Sequence, residues 1–158
     1  MRKTQTILVL GLGNLLMSDD GVGVHVVQTL AGRMKGQNNI ICRDGGTLGL
    51  NLLPDIENAA ALIAIDAAEI NAAPGSLKLF EGPRMDALMG GRKRSAHEVS
   101  LADLMTAAAI SGRTPARRAL IAIQPETTKT GLSPSPPVAA AIKPACEMVE
   151  EVIGRWRQ

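Results

Sequence analysis

Aromatic residues are almost absent from this chain of 158 residues, which contains Phe80, Trp156 and no tyrosine. Proteins that bind single-stranded nucleic acids rely largely on aromatic rings that stack on the bases, so this composition argues against such a partner. The formal net charge of +2 is close to neutral and gives no argument for a polyanionic partner either. We therefore expect no nucleic-acid partner.

Cysteines and long apolar runs are also scarce. Cys42 and Cys146 are far apart and form no C-x-x-C motif, so we expect reduced thiols rather than a disulfide or a cysteine zinc site. No apolar run approaches the ~20 residues that cross a bilayer, and the short polar segment 1–6 lacks the pattern of a signal peptide. We expect a cytoplasmic chain without membrane contact.

Apolar residues make up 46% of the chain, which is enough for one domain over residues 1–158 with a full core. Short apolar runs alternate with segments of helical spacing. We expect strands at residues 7–10, 39–42, 61–65, 77–80 and 119–123, and helices at 20–34, 48–56, 100–110 and from 134 onwards. Residues 82–97 are expected to form a long loop with at most one helical turn. This order predicts a three-layer α/β sandwich with a mainly parallel sheet and helices on both faces.

Two of these helices begin with residues that favour a helix start. Ser100 precedes Asp103 by three residues, which is the spacing of a capping box. Ser135 is the expected cap of the last helix, with Pro136 at its first position. Pro144 lies inside that helix and predicts a kink.

A glycine-rich segment follows the first strand. Gly11 and Gly13 begin a dinucleotide-binding fingerprint, but the pattern requires a third glycine where this chain has Leu16. A dinucleotide-binding module is therefore the weaker interpretation. The same segment carries Asp19 and Asp20 at the start of the first helix, where one carboxylate can simply favour the helix dipole. We expect Asp20 to face the crevice at the carboxyl ends of the strands, where sites form in open α/β sheets.

Asp66 and His97 could share a site with Asp20. Asp66 directly follows the apolar run 61–65 and therefore faces the same crevice, although a turn residue is the alternative. His97 ends the long loop, whereas His25 is expected to be an ordinary helix residue. Two carboxylates and one imidazole suit a first-row divalent metal such as zinc or nickel and leave coordination positions open. Because the three residues are scattered in sequence, their spacing does not test this hypothesis.

These segments together resemble the hydrogenase maturation endopeptidases, over residues 7 to about 152. The resemblance rests on an ordered set of motifs, namely Gly11-Leu12-Gly13-Asn14-Leu15-Leu16, Asp19-Asp20-Gly21-Val22-Gly23, Asp44-Gly45-Gly46-Thr47, Ile65-Asp66-Ala67, His97, Gln124-Pro125-Glu126, Gly131-Leu132-Ser133 and a last helix with an internal proline. It implies a twisted five-stranded sheet between helices, of the phosphorylase/hydrolase-like kind.

The resemblance also implies an activity. Members of the family, which are often classed as aspartic-type peptidases, remove a C-terminal extension from the nickel-loaded large-subunit precursor of a nickel–iron hydrogenase. The positions that look like nickel ligands match Asp20, Asp66 and His97. Many members have glutamate at the first position, where this chain has Asp20 and where Asp19 is the alternative. The nickel is expected to be the substrate's own and to bind transiently, without an organic cofactor.

Two further segments are candidates for substrate contact. Asp44-Gly45-Gly46-Thr47 resembles the family box that governs which large subunit is recognised, and Asp44 is our candidate there for cleavage or substrate fit. An Asx-type turn is its alternative role. Arg92-Lys93-Arg94 is either a substrate contact or a solvated charge run. We expect a monomer, and the competing function is a nickel-dependent chaperone that docks the large subunit without proteolysis.

Overall fold

The computed structural model describes residues 5–46, 49–90 and 100–158. Its strands are β1 (Ile7–Leu12), β2 (Ile40–Gly46), β3 (Ala61–Ala67), β4 (Leu77–Glu81) and β5 (Arg117–Ile123). Its helices are α1 (Val22–Arg33), α2 (Leu53–Asn58), α3 (Pro83–Gly90), α4 (Leu101–Ile110) and α5 (Pro136–Trp156). Short 3-10 turns, Ser18–Gly21 and Leu50–Leu52, lead into α1 and α2.

The strands form one sheet in the order β2-β1-β3-β5-β4. β1, β2, β3 and β5 are parallel, and β4 is antiparallel to β5. Helices α1 and α5 pack on one face, and α2, α3 and α4 pack on the other. This arrangement confirms the predicted three-layer sandwich with a mainly parallel, five-stranded sheet.

The central strands are apolar along their length because both of their faces are covered by helices. In β1, Ile7 and Val9 face α1 and α5, whereas Leu8 and Leu10 face the opposite layer. All six residues of β1 are buried. The continuous apolar runs in the sequence therefore correctly predicted strands in the interior of a parallel sheet.

The predicted long loop over residues 82–97 is wrong in its first half, where α3 forms instead. Met85 and Met89 are four residues apart and are both buried in the core on the α2–α4 face. Asp86 holds the helix from outside through two hydrogen bonds from the Arg118 guanidinium, of 2.9 and 2.6 Å. Tertiary contacts thus stabilise a short helix with a weak intrinsic pattern. Residues 91–97 lie outside the described residues.

The two expected caps have different outcomes. Ser100 and Asp103 form the predicted capping box at the start of α4, with both reciprocal hydrogen bonds present. Ser135 does stand at the N-cap position of α5, but its side chain makes no cap hydrogen bond. Pro144 lies inside α5 as expected, and the kink stays a prediction. None of the helices in the described ranges is long and apolar enough to span a membrane.

Helix α1 lies unusually close to the ends of β1 and β3, and glycine makes this approach possible. A Cβ atom added to Gly23 would overlap the carbonyl oxygen of Ile65 and lie 2.6 Å from that of Leu12. A Cβ atom on Gly11 would likewise overlap the carbonyl oxygen of Gly23. The first turn of α1 is therefore packed directly onto the backbone of two strands, at the end where they leave the sheet.

We expect Gly23→Ala to destabilise the protein by about 2–3 kcal/mol, because the added methyl group meets backbone atoms that cannot move aside. Gly32→Ala is the matched control in the same helix, since nothing lies within 4 Å of its added Cβ. That control should stabilise the helix by about 0.5–1 kcal/mol. Urea unfolding measures both, and equal stabilities for the two variants would contradict the close packing of α1.

Candidate active site

The carboxyl ends of β1, β2, β3 and β5 meet at one edge of the sheet because these strands are parallel. We call it the carboxyl edge. The 3-10 turn Ser18–Gly21 carries Asp20 to this edge, and the turn contacts β3. Asp66 lies near the end of β3, and Asp44 near the end of β2. The topology thus brings three of the four candidate residues to the same edge, which the sequence predicted for Asp20 and Asp66.

Asp20 is half-buried, and the preceding loop folds around it. Its Oδ2 atom accepts a hydrogen bond of 2.9 Å from the backbone N–H of Asn14. This approach depends on Gly13, which has a φ of 120° and leaves no room for a Cβ against the Asp20 carbonyl oxygen. Glycine in this segment therefore allows the loop to close around the Asp20 carboxylate. This requirement explains why the segment partly matches a dinucleotide-binding fingerprint.

Asp19 has the opposite environment, since it is fully buried. Its Oδ2 atom accepts hydrogen bonds from the backbone N–H groups of Glu126 (2.8 Å) and Thr127 (2.9 Å) and from the Ser135 hydroxyl (2.8 Å). Its Oδ1 atom accepts a further one of 2.6 Å from the Ser135 N–H. Asp19 is therefore the residue that joins the segment before α1 to the segment between β5 and α5.

The pKa of the Asp19 carboxyl reports this environment. Burial on its own raises the pKa, because desolvation disfavours the charged form. The hydrogen bonds from Thr127, Ser135 and Glu126 favour the carboxylate and outweigh burial, so the pKa falls below its ordinary value of 3.8. Asp19 is thus ionised at neutral pH, next to the N-terminus of α5, where the helix dipole favours a negative charge.

Asp66 lies in β3 opposite Ala122 of β5 and is half-buried. The neighbouring residues Ile65 and Ala67 belong to the core on the α1 and α5 face. Because side chains alternate along a strand, Asp66 belongs to the other face of the sheet. The sequence placed Asp66 directly after a strand that ends at residue 65, whereas the structure extends β3 to Ala67 and so includes Asp66 near its carboxyl end.

Asp44 is exposed, and its Oδ1 atom accepts a hydrogen bond of 2.8 Å from the backbone N–H of Gly46. This is an Asx-type turn, which was the alternative role considered for it. The carbonyl oxygen of Gly46 accepts a hydrogen bond of 3.3 Å from Gly13, so the turn is connected to the loop around Asp20. A structural role for Asp44 is thus present at the edge where a cleavage role was expected.

His97, the third expected ligand, lies outside the described residues, as do Thr47 and the basic segment Arg92-Lys93-Arg94. Within the described ranges, no group of three His, Cys, Asp or Glu side chains could hold a metal ion. His25 lies in α1, and its Nε2 atom is buried without a hydrogen-bond partner among those same residues. The complete ligand set therefore remains a prediction.

The two cysteines are free, as expected. Cys146 is buried and Cys42 is half-buried. Burial raises the pKa of both thiols, so neither has the thiolate character of a cysteine nucleophile.

Gln124 is a residue of this edge whose role the sequence did not reveal beyond its place in a motif. It is buried directly after β5, and its Oε1 atom accepts a hydrogen bond of 2.8 Å from the N–H of Ile70. Its Nε2 atom donates to the Glu69 carboxylate at 2.8 Å. Gln124 therefore fixes the segment that follows β3, directly beyond Asp66. A buried amide at a strand end is the signal that could have identified it.

The chain matches the family model described as "Hydrogenase maturation protease" over residues 24–152. It belongs to the hydrogenase maturation protease family. A curated relative, the hydrogenase 2 maturation protease of Escherichia coli, is 36% identical over 144 residues, which are 90% of this chain and 87% of that protein.

Solved structures of hydrogenase maturation proteases have the same fold. The hydrogenase maturating endopeptidase HybD from E. coli matches with a TM-score of 0.85 and 33% identity, over 95% of this chain and 93% of that one. The [NiFe] hydrogenase maturation protease HybD from Thermococcus kodakarensis matches with a TM-score of 0.69 and 26% identity, over 93% and 98% of the two chains. The present protein is accordingly a peptidase, and the carboxyl edge is its candidate active site.

We expect Asp19→Asn to lower the free energy of unfolding of this maturation protease by roughly 2–4 kcal/mol, since an amide replaces a buried carboxylate that accepts four hydrogen bonds. Asp20→Asn is the matched control. Its hydrogen bond from Asn14 can be retained by the amide oxygen, so the change should stay within about 1 kcal/mol. Chemical unfolding at neutral pH measures both variants.

The stabilisation by Asp19 should also depend on pH. Because the folded-state pKa is lowered, the contribution is fully present above the ordinary value of 3.8 and is lost as the pH falls through the lower folded value. The stability difference between wild type and Asp19→Asn should therefore shrink in that acidic range. A difference that grew on acidification would contradict the assignment.

Proposed function

We propose that this enzyme removes the C-terminal extension from the nickel-loaded large-subunit precursor of a nickel–iron hydrogenase, in the cytoplasm and as a monomer. The observation that carries the proposal is the pair of half-buried carboxylates, Asp20 and Asp66, on adjacent elements of the carboxyl edge. Family membership supports a peptidase reaction at this edge, and one relative is named a [NiFe] hydrogenase maturation protease.

The donor set that we propose for the substrate's nickel is Asp20, Asp66 and His97. Two carboxylate oxygens and one imidazole nitrogen suit a divalent first-row ion. Three protein ligands leave further coordination positions for groups of the precursor itself. We leave Asp19 out of this set because both of its oxygens accept hydrogen bonds from the protein, which supports Asp20 as the ligand.

Nickel in this proposal is part of the substrate. A ligand set that engages the metal binds the nickel-loaded precursor more tightly than the metal-free one. The enzyme therefore distinguishes the two forms of the precursor by a difference in affinity. The protease then cuts only after the metal has been inserted.

The cleavage itself is a peptide hydrolysis. A water molecule, activated by an edge carboxylate or by the substrate's nickel, attacks the scissile carbonyl carbon. The C–N bond then breaks, the leaving nitrogen takes a proton, and a new carboxylate and a free amine result. We propose that exposed Asp44 contributes to the fit of the substrate from the rim, where it holds the backbone of Gly46 in an Asx-type turn.

The first test compares nickel-loaded and nickel-free large-subunit precursor, each incubated with the purified protease and analysed by intact mass. We expect loss of a C-terminal peptide from the nickel-loaded form only. Equal shortening of both forms would contradict the role of nickel. A nickel-dependent complex without any shortening would favour a docking chaperone instead.

The second test addresses the proposed ligands. Asp20→Asn and Asp66→Asn should each slow cleavage by roughly 10²–10⁴-fold, because each removes a ligand or base charge at nearly constant shape. Glu147→Gln, an exposed carboxylate on α5, is the control and should leave the rate unchanged. Thermal unfolding of each variant separates lost chemistry from lost structure.

The same preparations test whether the protease holds a metal of its own. We expect purified enzyme without stoichiometric metal, and activity on nickel-loaded precursor after chelator treatment and removal of the chelator. Stoichiometric zinc that survives purification, is required for activity and is removed by chelator would refute the proposal that the metal belongs to the substrate.

A further inference from the structure

Leu16 and Leu132 are large apolar side chains that the fold leaves in solvent, with 59% and 75% of their surface exposed. A single exposed leucine needs no explanation, but neighbouring ones on a rigid surface indicate binding. These two lie on neighbouring loops, because the N–H of Gly131 donates a hydrogen bond of 2.9 Å to the carbonyl oxygen of Leu16.

The two loops are joined along their backbones. Met17 and Gly131 form a parallel β-bridge, and the Ser18 N–H donates to the Gly131 carbonyl oxygen at 2.9 Å. The Ser18 hydroxyl donates to the carbonyl oxygen of Lys129 at 2.7 Å. A Cβ atom on Gly131 would lie 2.6 Å from the Ser18 hydroxyl oxygen, so glycine permits this contact. The leucines are thus presented by backbone that is already fixed.

A short chain of hydrogen bonds connects this surface to the candidate active site. The Leu16 N–H donates to the Asn14 side-chain oxygen at 2.9 Å, and the Asn14 N–H donates to Asp20 at the same distance. On the other side, buried Asp19 holds the loop that carries Leu132. The exposed leucines therefore stand beside Asp20, on the rim of the carboxyl edge.

We propose that Leu16 and Leu132 form a docking patch that binds apolar side chains of the large-subunit precursor next to its scissile bond. This inference rests on the proposed function, because the occupant is the protein substrate. Pre-ordered loops favour such binding, since their conformational entropy is lost on folding and not on association. Two leucines are too small for a stable dimer, which buries upwards of about 1,000 Å². They can extend a larger contact that is centred on the active site.

The test uses the double variant Leu16→Ser/Leu132→Ser of the full chain and nickel-loaded precursor. We expect KM, and the dissociation constant for an uncleaved complex, to rise by about 10–100-fold. The reason is that the variant buries less apolar surface when the precursor binds. The value of kcat should stay within about two-fold, because Asp20 keeps its contacts. Ile110→Ser is the matched control, since Ile110 is also an exposed apolar residue, with 84% of its surface in solvent. It lies at the end of α4, from which the chain enters β5, and therefore near the amino ends of the strands, away from the carboxyl edge.

Three outcomes overturn the inference. An unchanged KM removes the docking role, and a fall in kcat at constant KM shows that the leucines support the geometry of the site instead. Sedimentation that shows a wild-type dimer and a monomeric double variant assigns the patch to a second copy of the chain. If wild type binds the precursor but does not shorten it, the proposed function fails, and the dissociation constants still decide the docking patch.

Discussion

The buried carboxylate of Asp19 is the interaction on which the rest of the carboxyl edge depends. It accepts hydrogen bonds from Glu126, Thr127 and Ser135, which lie more than a hundred residues further along the chain. The entry to α1 and the entry to α5 are thereby fixed to each other. An ion pair would serve less well here, because backbone N–H groups hold a buried carboxylate with defined direction and need no second desolvated charge.

Neighbouring aspartates divide their roles according to burial. Asp19 is enclosed and fully used by the fold, whereas Asp20 stays half-buried with one hydrogen bond from Asn14. The short glycine-rich turn makes this possible, because Gly13 lets the loop close on the backbone of Asp20 and Gly23 sets α1 directly against β3. A carboxylate that the fold uses and a carboxylate that is available for the proposed chemistry can therefore stand side by side without competing for the same partners.

The sequence predicted the architecture well. Strands that are buried on both faces appear in the sequence as continuous apolar runs, and a helix cap appears as a local motif such as Ser100 with Asp103. It predicted that Asp20 and Asp66 lie at one edge, because parallel strands end together. It did not distinguish Asp19 from Asp20, since the partners of Asp19 are remote in sequence. It also missed α3, whose stability comes from buried Met85 and Met89 and not from local propensity.

The same dependence on remote contacts explains why apolar side chains stand exposed at the rim. A loop that carries leucine would ordinarily turn it inward, since burial is favourable. Around Leu16 and Leu132 the backbone is held by hydrogen bonds among Leu16, Asn14, Ser18 and Gly131, so the loops are ordered while both side chains stay exposed. The fold thus keeps these two leucines in water beside the edge where its candidate catalytic carboxylates lie. Because buried Asp19 joins the segment that carries Leu16 and Asp20 to the loop that carries Leu132, the position of Asp20 and the surface beside it are set together.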